Sequence, residues 1–236
     1  MRRFFLTVVL AGLVALALPF AASALGLDLE ANAGAGLGMG YTTNPDETGS
    51  PRQVLQGGLE ADLFLFKAGP VDLGISTGLE YDNMSNHGTT IEPSYPPPNT
   101  QTIDSDNTYV YLVVPFALSS RIPLTKSMTL SLRVGGFYGF FMGGQSYNVT
   151  SNLYGSLPST NLSSITPAGL LGIHFSGGLD FPLAQKLFLS PSLIFNMGLT
   201  NTTGTSMTNY TFWNGSTYTD SLWSLSLMIG LKYSVL

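Results

Sequence analysis

From residue 27 onward the chain alternates between apolar positions and polar or small ones. Leu27, Leu29, Ala31, Ala33, Ala35, Leu37, Met39 and Tyr41 fall on one phase, and Asp28, Glu30, Asn32, Gly34, Gly36, Gly38 and Gly40 on the other. A period of two marks an extended strand with unlike faces. An average soluble strand has about 5–6 residues, whereas this run of about 15 is long enough to cross a bilayer at a tilt. The same alternation predicts strands over 55–66, 71–83, 127–142, 168–181, 187–199 and 222–235. An eighth segment, 108–120, is apolar on both phases. Val110, Leu112, Val114 and Phe116 are assigned to lipid there, and Pro115, which has no N–H to give the ladder, predicts a bulge.

The connections alternate in length. Short turns are predicted at 67–70, 121–126 and 182–186, and long loops at 42–53, 84–107, 143–166 and 200–219. An even number of strands with short turns at one end and long loops at the other is the layout of a bacterial membrane barrel. The predicted fold is all-β: a single eight-stranded antiparallel up-and-down transmembrane β-barrel, with short periplasmic turns and long extracellular loops.

The amino terminus supplies the export route. Arg2 and Arg3 precede an apolar run from Phe4 to Phe20, and Ala22-Ser23-Ala24 is a small-x-small cleavage site. Residues 1–24 therefore read as a secretory signal peptide and 25–236 as the barrel domain. Removing the peptide takes away two basic residues and no acidic one, which moves the net charge from −5 to −7. No later stretch of about 20 continuously apolar residues predicts a transmembrane helix.

Composition agrees. Charged residues are 10% of the chain, against about 25% in an ordinary soluble domain, and the mean hydropathy is +0.24. The acidic balance excludes nucleic acid as a partner, which needs a basic surface. The absence of cysteine excludes disulfides, thiolate metal sites and cysteine nucleophiles. Only His87 and His174 are available as imidazole ligands, at no metal-binding spacing, so neither a metal nor any other cofactor is expected.

The chain resembles the small eight-stranded outer-membrane barrels of Gram-negative-type bacteria, the opacity-protein and porin-like families. Tyr111-Leu112-Val113-Val114-Pro115 is similar to the tyrosine-leucine-x-x-proline strand of these barrels. Gly230-Leu231-Lys232-Tyr233-Ser234-Val235 is similar to the terminal signal read by the barrel assembly machinery, and the four long loops match the family layout. The last residue, Leu236, departs from the usual aromatic. The resemblance implies a bacterial outer-membrane location, with outer-membrane lipid and the assembly machinery as partners.

Parity points the charges inward: Asp28, Glu30, Glu60, Asp62, Asp72, Glu80, Asp82 and Asp180, with Arg133 and Lys232. Eight strands enclose a bore that side chains just fill, and buried charges must be paired. Closing the last strand on the first predicts a Lys232 pair with Asp28 or Glu30, and Arg133 is expected to meet Glu60 or Asp62. The network reads as a polar plug, helped by inward Phe64, Phe66, Phe137 and Phe141. The alternative is a narrow, cation-favouring passive channel, with Gly34, Gly36, Gly38, Gly58, Gly74 and Gly78 leaving space. His174 and Ser176 share a face, similar to the His-x-Ser pair of lipid A deacylases, but no matching glutamate follows. A lipid A hydrolase is therefore the remote reading, and no catalytic residue is assigned.

The loops 143–166 and 200–219 hold no charged residue. Tyr210, Phe212, Trp213 and Tyr218, like Tyr147 and Tyr154, sit there among small polar residues, a composition suited to contact surfaces. They read either as loop contacts for an extracellular ligand or as part of an interfacial girdle with Tyr41, Tyr81, Tyr109 and Trp223. The expected function is a structural or loop-mediated, adhesion-like surface role without bond chemistry.

Overall fold

The computed structural model describes residues 26–42, 47–93, 100–156, 160–161, 169–199 and 220–235. The expected signal peptide, and Tyr210, Phe212, Trp213 and Tyr218, lie outside these residues. Eight long strands carry the fold: β1 Gly26–Thr42, β2 Glu47–Ala68, β3 Val71–Pro93, β4 Thr100–Thr125, β5 Met128–Ser151, β6 Gly169–Ala184, β7 Leu187–Gly198 and β8 Asp220–Ser234. Each pairs antiparallel with the next, and β1 pairs with β8 from Asp28↔Ser234 to Thr42↔Asp220. The sheet is thus a closed ring.

Its faces are inverted relative to a soluble protein. Along β8, Leu225, Leu227, Ile229 and Leu231 are 44–64% exposed, while the alternating Ser224, Ser226 and Met228 are fully buried. An apolar outside and a polar inside suit lipid. Among the described residues no helix is long and apolar enough to cross a membrane.

The periplasmic turns are tighter than expected, with two residues each at Gly69-Pro70, Lys126-Ser127 and Gln185-Lys186. Gly69 adopts φ 63°, a left-handed conformation that costs glycine little. The 121–126 segment is mostly strand, so Arg121 belongs to the wall of β4 rather than to a turn.

Much of three predicted long loops is also strand. β2 to β5 run 22, 23, 26 and 24 residues, against 17, 16, 12 and 15 for β1, β6, β7 and β8. Their surplus rises as a four-stranded wall beyond the outer end of the barrel. Two-residue strands at Gly155–Ser156 and Thr160–Asn161 pair with the edge of β5. With water on both faces, the Thr-, Ser- and Asn-rich extensions need no apolar alternation, which is why period two did not reveal them.

Four local expectations fail. Pro115 makes no bulge: pairing with β3 skips Val114 and Pro115 and resumes in the same register, and the Thr77 hydroxyl donates to the Pro115 carbonyl at 2.9 Å. Bulges lie instead where the register shifts, between Phe64 and Phe66 and near Val110 and Tyr111. The first turns Phe66 outward, to 57% exposure. Above the second, Tyr109 packs against the inner apolar cluster, inside rather than in an outer girdle. The phase assigned to β4 holds at Phe116 and Leu118, which are strongly exposed, but Val114 is buried.

The inward glycines do not leave space. A Cβ on Gly34 would lie 2.0 Å from the Leu227 carbonyl oxygen, and one on Gly36 2.0 Å from that of Leu225. These residues let β1 and β8 coil tightly against each other across the closing seam. Gly36→Val is expected to overpack the seam at a cost of about 1–3 kcal/mol or more. The readout is loss of the compact, heat-modifiable band on unheated denaturing gels.

Candidate functional site: the barrel interior

The bore is filled in tiers from the periplasmic end upward. At the mouth Arg121, on β4, donates to Asp28 Oδ2 at 3.0 Å and to Asp72 Oδ2 at 2.9 Å. Its guanidinium lies 4.4 Å from the centre of the Phe64 ring, a cation–π contact that adds about 0.5–1 kcal/mol. Arg121 was missed because a turn was drawn through it. Its parity with Ser119, buried on the same face of β4, was the available signal.

Above it, Arg133 is the hub. It meets Asp62 Oδ2 at 2.6 Å, Glu30 Oε2 at 2.7 Å and Glu60 Oε2 at 2.7 Å. Its nearly complete burial leaves no water to compete, and the fork geometry of guanidinium suits several carboxylates at once. Asn32 Nδ2 donates to the other Glu60 oxygen at 2.5 Å. Beside this group, Lys232 donates to both oxygens of Asp180 at 2.9 Å and lies 3.5 Å from Glu30 Oε2. Lys232 therefore takes Asp180 as its main partner rather than Asp28, which Arg121 holds. Ser131 and Ser190 also donate to Asp180, at 2.5 and 2.7 Å.

The next tier is a buried polar layer in which, among the described residues, no lysine or arginine takes part. Gln56 Nε2 donates to Glu80 Oε2 at 3.2 Å and to Asp82 Oδ2 at 3.4 Å. Asp82 Oδ2 also accepts from Asn196 Nδ2 at 3.0 Å and Ser224 Oγ at 2.9 Å. Because the Asn196 amide nitrogen points at Asp82, its oxygen faces His174 Nδ1, at 2.8 Å, and that nitrogen must be the donor. His174 is thus a fully buried lumen residue. Neither His174 Nε2 nor Ser176 Oγ has a hydrogen-bond partner, so the two are not coupled to each other. Both point into the bore, away from lipid, and the triad reading has no support in this arrangement.

An apolar lid closes the outer end. Met84, Tyr111, Val113, Phe137, Leu170 and Leu222 form a buried cluster, and Tyr109 and Phe141 pack on it. The Tyr111 and Phe141 rings meet edge-on at 5.4 Å. Burying each large side chain contributes about 1.5–3 kcal/mol. The sequence showed 108–120 as apolar on both phases; the inner phase is this lid.

Outside the membrane, beyond Tyr109, Asp106 gathers the wall together. It is hydrogen-bonded to Arg52 on β2, to His87 on β3 at 2.8 Å and to Asn148 on β5 at 3.1 Å. Asn148 takes φ 51° at a register shift in β5, a left-handed conformation that asparagine tolerates and a bulge that re-aims its side chain. Burial pushes the Asp106 carboxyl up, but the Arg52, His87 and Asn148 hydrogen bonds and the Arg52 charge outweigh it and hold it at about 2.

Two predictions follow from these pairings. Arg133→Met leaves the buried Glu60 and Asp62 without a cation and Glu30 with Lys232 alone, and is expected to cost about 3–5 kcal/mol. Lys232→Met should cost less, because Asp180 keeps two hydroxyl donors; urea midpoints in lipid vesicles rank the two. The depressed Asp106 value sets a pH window, since its stabilisation is complete above the ordinary 3.8 and disappears as pH falls through about 2. Asp106→Asn should therefore lower the melting temperature at pH 6 and converge on wild type near pH 2.

No family model matches the chain, and no curated protein matches its sequence. Similar folds occur among solved structures. The outer membrane protein OprG from Pseudomonas aeruginosa aligns with 89% of this chain and 97% of its own, at 11% identity and a TM-score of 0.42. Ail, the attachment invasion locus protein of Yersinia pestis, covers 88% and 99% at 11% identity and 0.40. The outer membrane protease OmpT from Escherichia coli covers 89% and 95% at 9% identity and 0.41. The closed ring, its apolar exterior and its charged bore make this chain an eight-stranded β-barrel of the outer-membrane type.

Proposed function

We propose that the chain is exported, loses residues 1–24, and serves in the outer membrane as a sealed scaffold that holds a surface for contact outside the cell. The observation that carries this reading is the filled bore: a salt-bridged mouth, the Arg133 hub and the apolar lid stand in series. A solute would have to break ion pairs and wet an apolar constriction to pass. The bore also argues against a hydrolase, since its histidine and serine face away from lipid.

The outward elements fit the same role. Four strands rise past the membrane and are pinned by Asp106, so they present loop ends on a rigid support. Exposed Tyr154 is one contact group on that side. The segment with Tyr210, Phe212, Trp213 and Tyr218 is proposed as another, binding an extracellular ligand through aromatics among small polar residues. No bond is made or broken in this mechanism.

The test is planar-bilayer conductance of the protein alongside binding of whole cells to host-type surfaces. Wild type is expected to be electrically silent, and replacing Tyr210, Phe212, Trp213 and Tyr218 with serine should reduce surface binding while the barrel stays folded. Discrete salt-dependent current steps from the intact protein would instead favour the narrow acidic channel.

A further inference from the structure

In the layer between the Arg133 hub and the lid the carboxylates touch no cation among the described residues, whereas every other acidic group of the bore shares one. Asp28 and Asp72 have Arg121, Glu30, Glu60 and Asp62 have Arg133, and Asp180 has Lys232. Glu80 and Asp82 are fully buried, and among the described residues neither lies within ion-pair reach of a lysine, arginine or histidine. They stand two residues apart on one face of β3, and Gln56 Nε2 reaches both.

The missing partner has a definite chemistry. Glu80 Oε1, Asp82 Oδ1 and Gln56 Oε1 have no hydrogen-bond partner, and with the carboxyls ionised all three can only accept. Gln56 is nearly fully buried; its Nε2 donates to both carboxylates and its Oε1 is left without a partner. The donors that reach the pair, from Gln56, Asn196 and Ser224, are already used. Two carboxylates brought out of water without a counter-charge are costly. What fits is a positive group that accepts oxygen ligands.

We propose that Glu80 and Asp82 form a cation site inside the barrel, of the class that takes a hard divalent ion, with calcium the best match. Oxygen-only donors select hard ions over zinc or copper. Two carboxylates balance one divalent charge. Calcium tolerates irregular shells of about 6–8 oxygens, some of them water, whereas magnesium demands a near-ideal octahedron. No group of three His, Cys, Asp or Glu converges among the described residues, so the site rests on two carboxylates and neutral oxygens. The lid and the Arg133 hub enclose it, so the ion enters as the barrel folds and exchanges slowly afterwards.

The experiment uses full-length protein expressed and extracted from outer membranes, washed with chelator, with its metal content read by mass spectrometry. Wild type should retain about one calcium per chain, and the paired change Glu80→Gln with Asp82→Asn should lower this to roughly a tenth or less. The paired amides remove charge at near-constant shape, so the variant should still give the compact gel band. A second arm refolds both proteins with calcium or with chelator. Calcium present during refolding should raise the urea midpoint of wild type, calcium added afterwards should not, and the variant should ignore both. Wild type free of calcium, with a variant equally or more stable in every buffer, would overturn the site and leave the two carboxyls holding protons. Calcium retained undiminished by the folded variant would overturn it equally, by placing the ion elsewhere.

Discussion

Within lipid no water is available to satisfy a backbone N–H or C=O, so a strand can cross only if both of its edges are paired. The β1–β8 seam meets that requirement here, with fifteen residue pairs from Asp28↔Ser234 to Thr42↔Asp220. Every other feature is downstream of it. Closure makes one face of every strand an inside, and eight strands make that inside narrow. Gly34 and Gly36 belong to the same constraint: a side chain at either would strike the partner backbone, so the seam is coiled too tightly for anything but glycine.

A narrow inside explains why the charges are arranged in hubs instead of separate pairs. There is too little room for each carboxylate to have its own cation, so one guanidinium serves Glu30, Glu60 and Asp62, and another joins Asp28 to Asp72. Such hubs weigh more in specificity than in net stability, because the desolvation cost offsets much of the attraction. They tie β5 to β1 and β2, and β4 to β1, across the bore. Hydrogen bonds along the wall reach only the adjacent strand, so these contacts are what hold distant strands at one distance. That rigidity suits the scaffold role proposed above.

Legibility in the sequence followed the solvent on each face. Where one face met lipid and the other the bore, period two placed the strands and put Glu30, Glu60, Asp62, Arg133 and Lys232 on the inner side by simple parity. Parity failed wherever the count was broken or never begun. The bulge at Leu65 reversed Phe66, and Arg121 was lost to a turn drawn too wide. Pairing across the bore was harder still. Lys232 and Asp180 lie far apart in the chain and on non-adjacent strands, and only the completed ring brings them within 2.9 Å. The four-stranded wall gave no alternation because water lies on both of its sides. The lid hid for the opposite reason: Tyr111 and Val113 are apolar on the inner phase, so 108–120 looked two-sided until the structure separated lid from lipid face.

The lid and the wall share β3, β4 and β5, and this couples the two ends of the outer half. Met84 on β3, Tyr111 on β4 and Phe137 on β5 seal the bore. A few residues higher, Arg52, His87, Asp106 and Asn148 on β2 to β5 bind those strands to one another through a single carboxylate. Loosening the Asp106 cluster would let the strand tops separate, yet the lid below is apolar and packed, and its contacts do not depend on that carboxylate. The fold therefore places a packed apolar lid beneath a polar, titratable clasp. Changes in charge or pH at the surface reach the geometry of the loops first, and the closed state of the bore last.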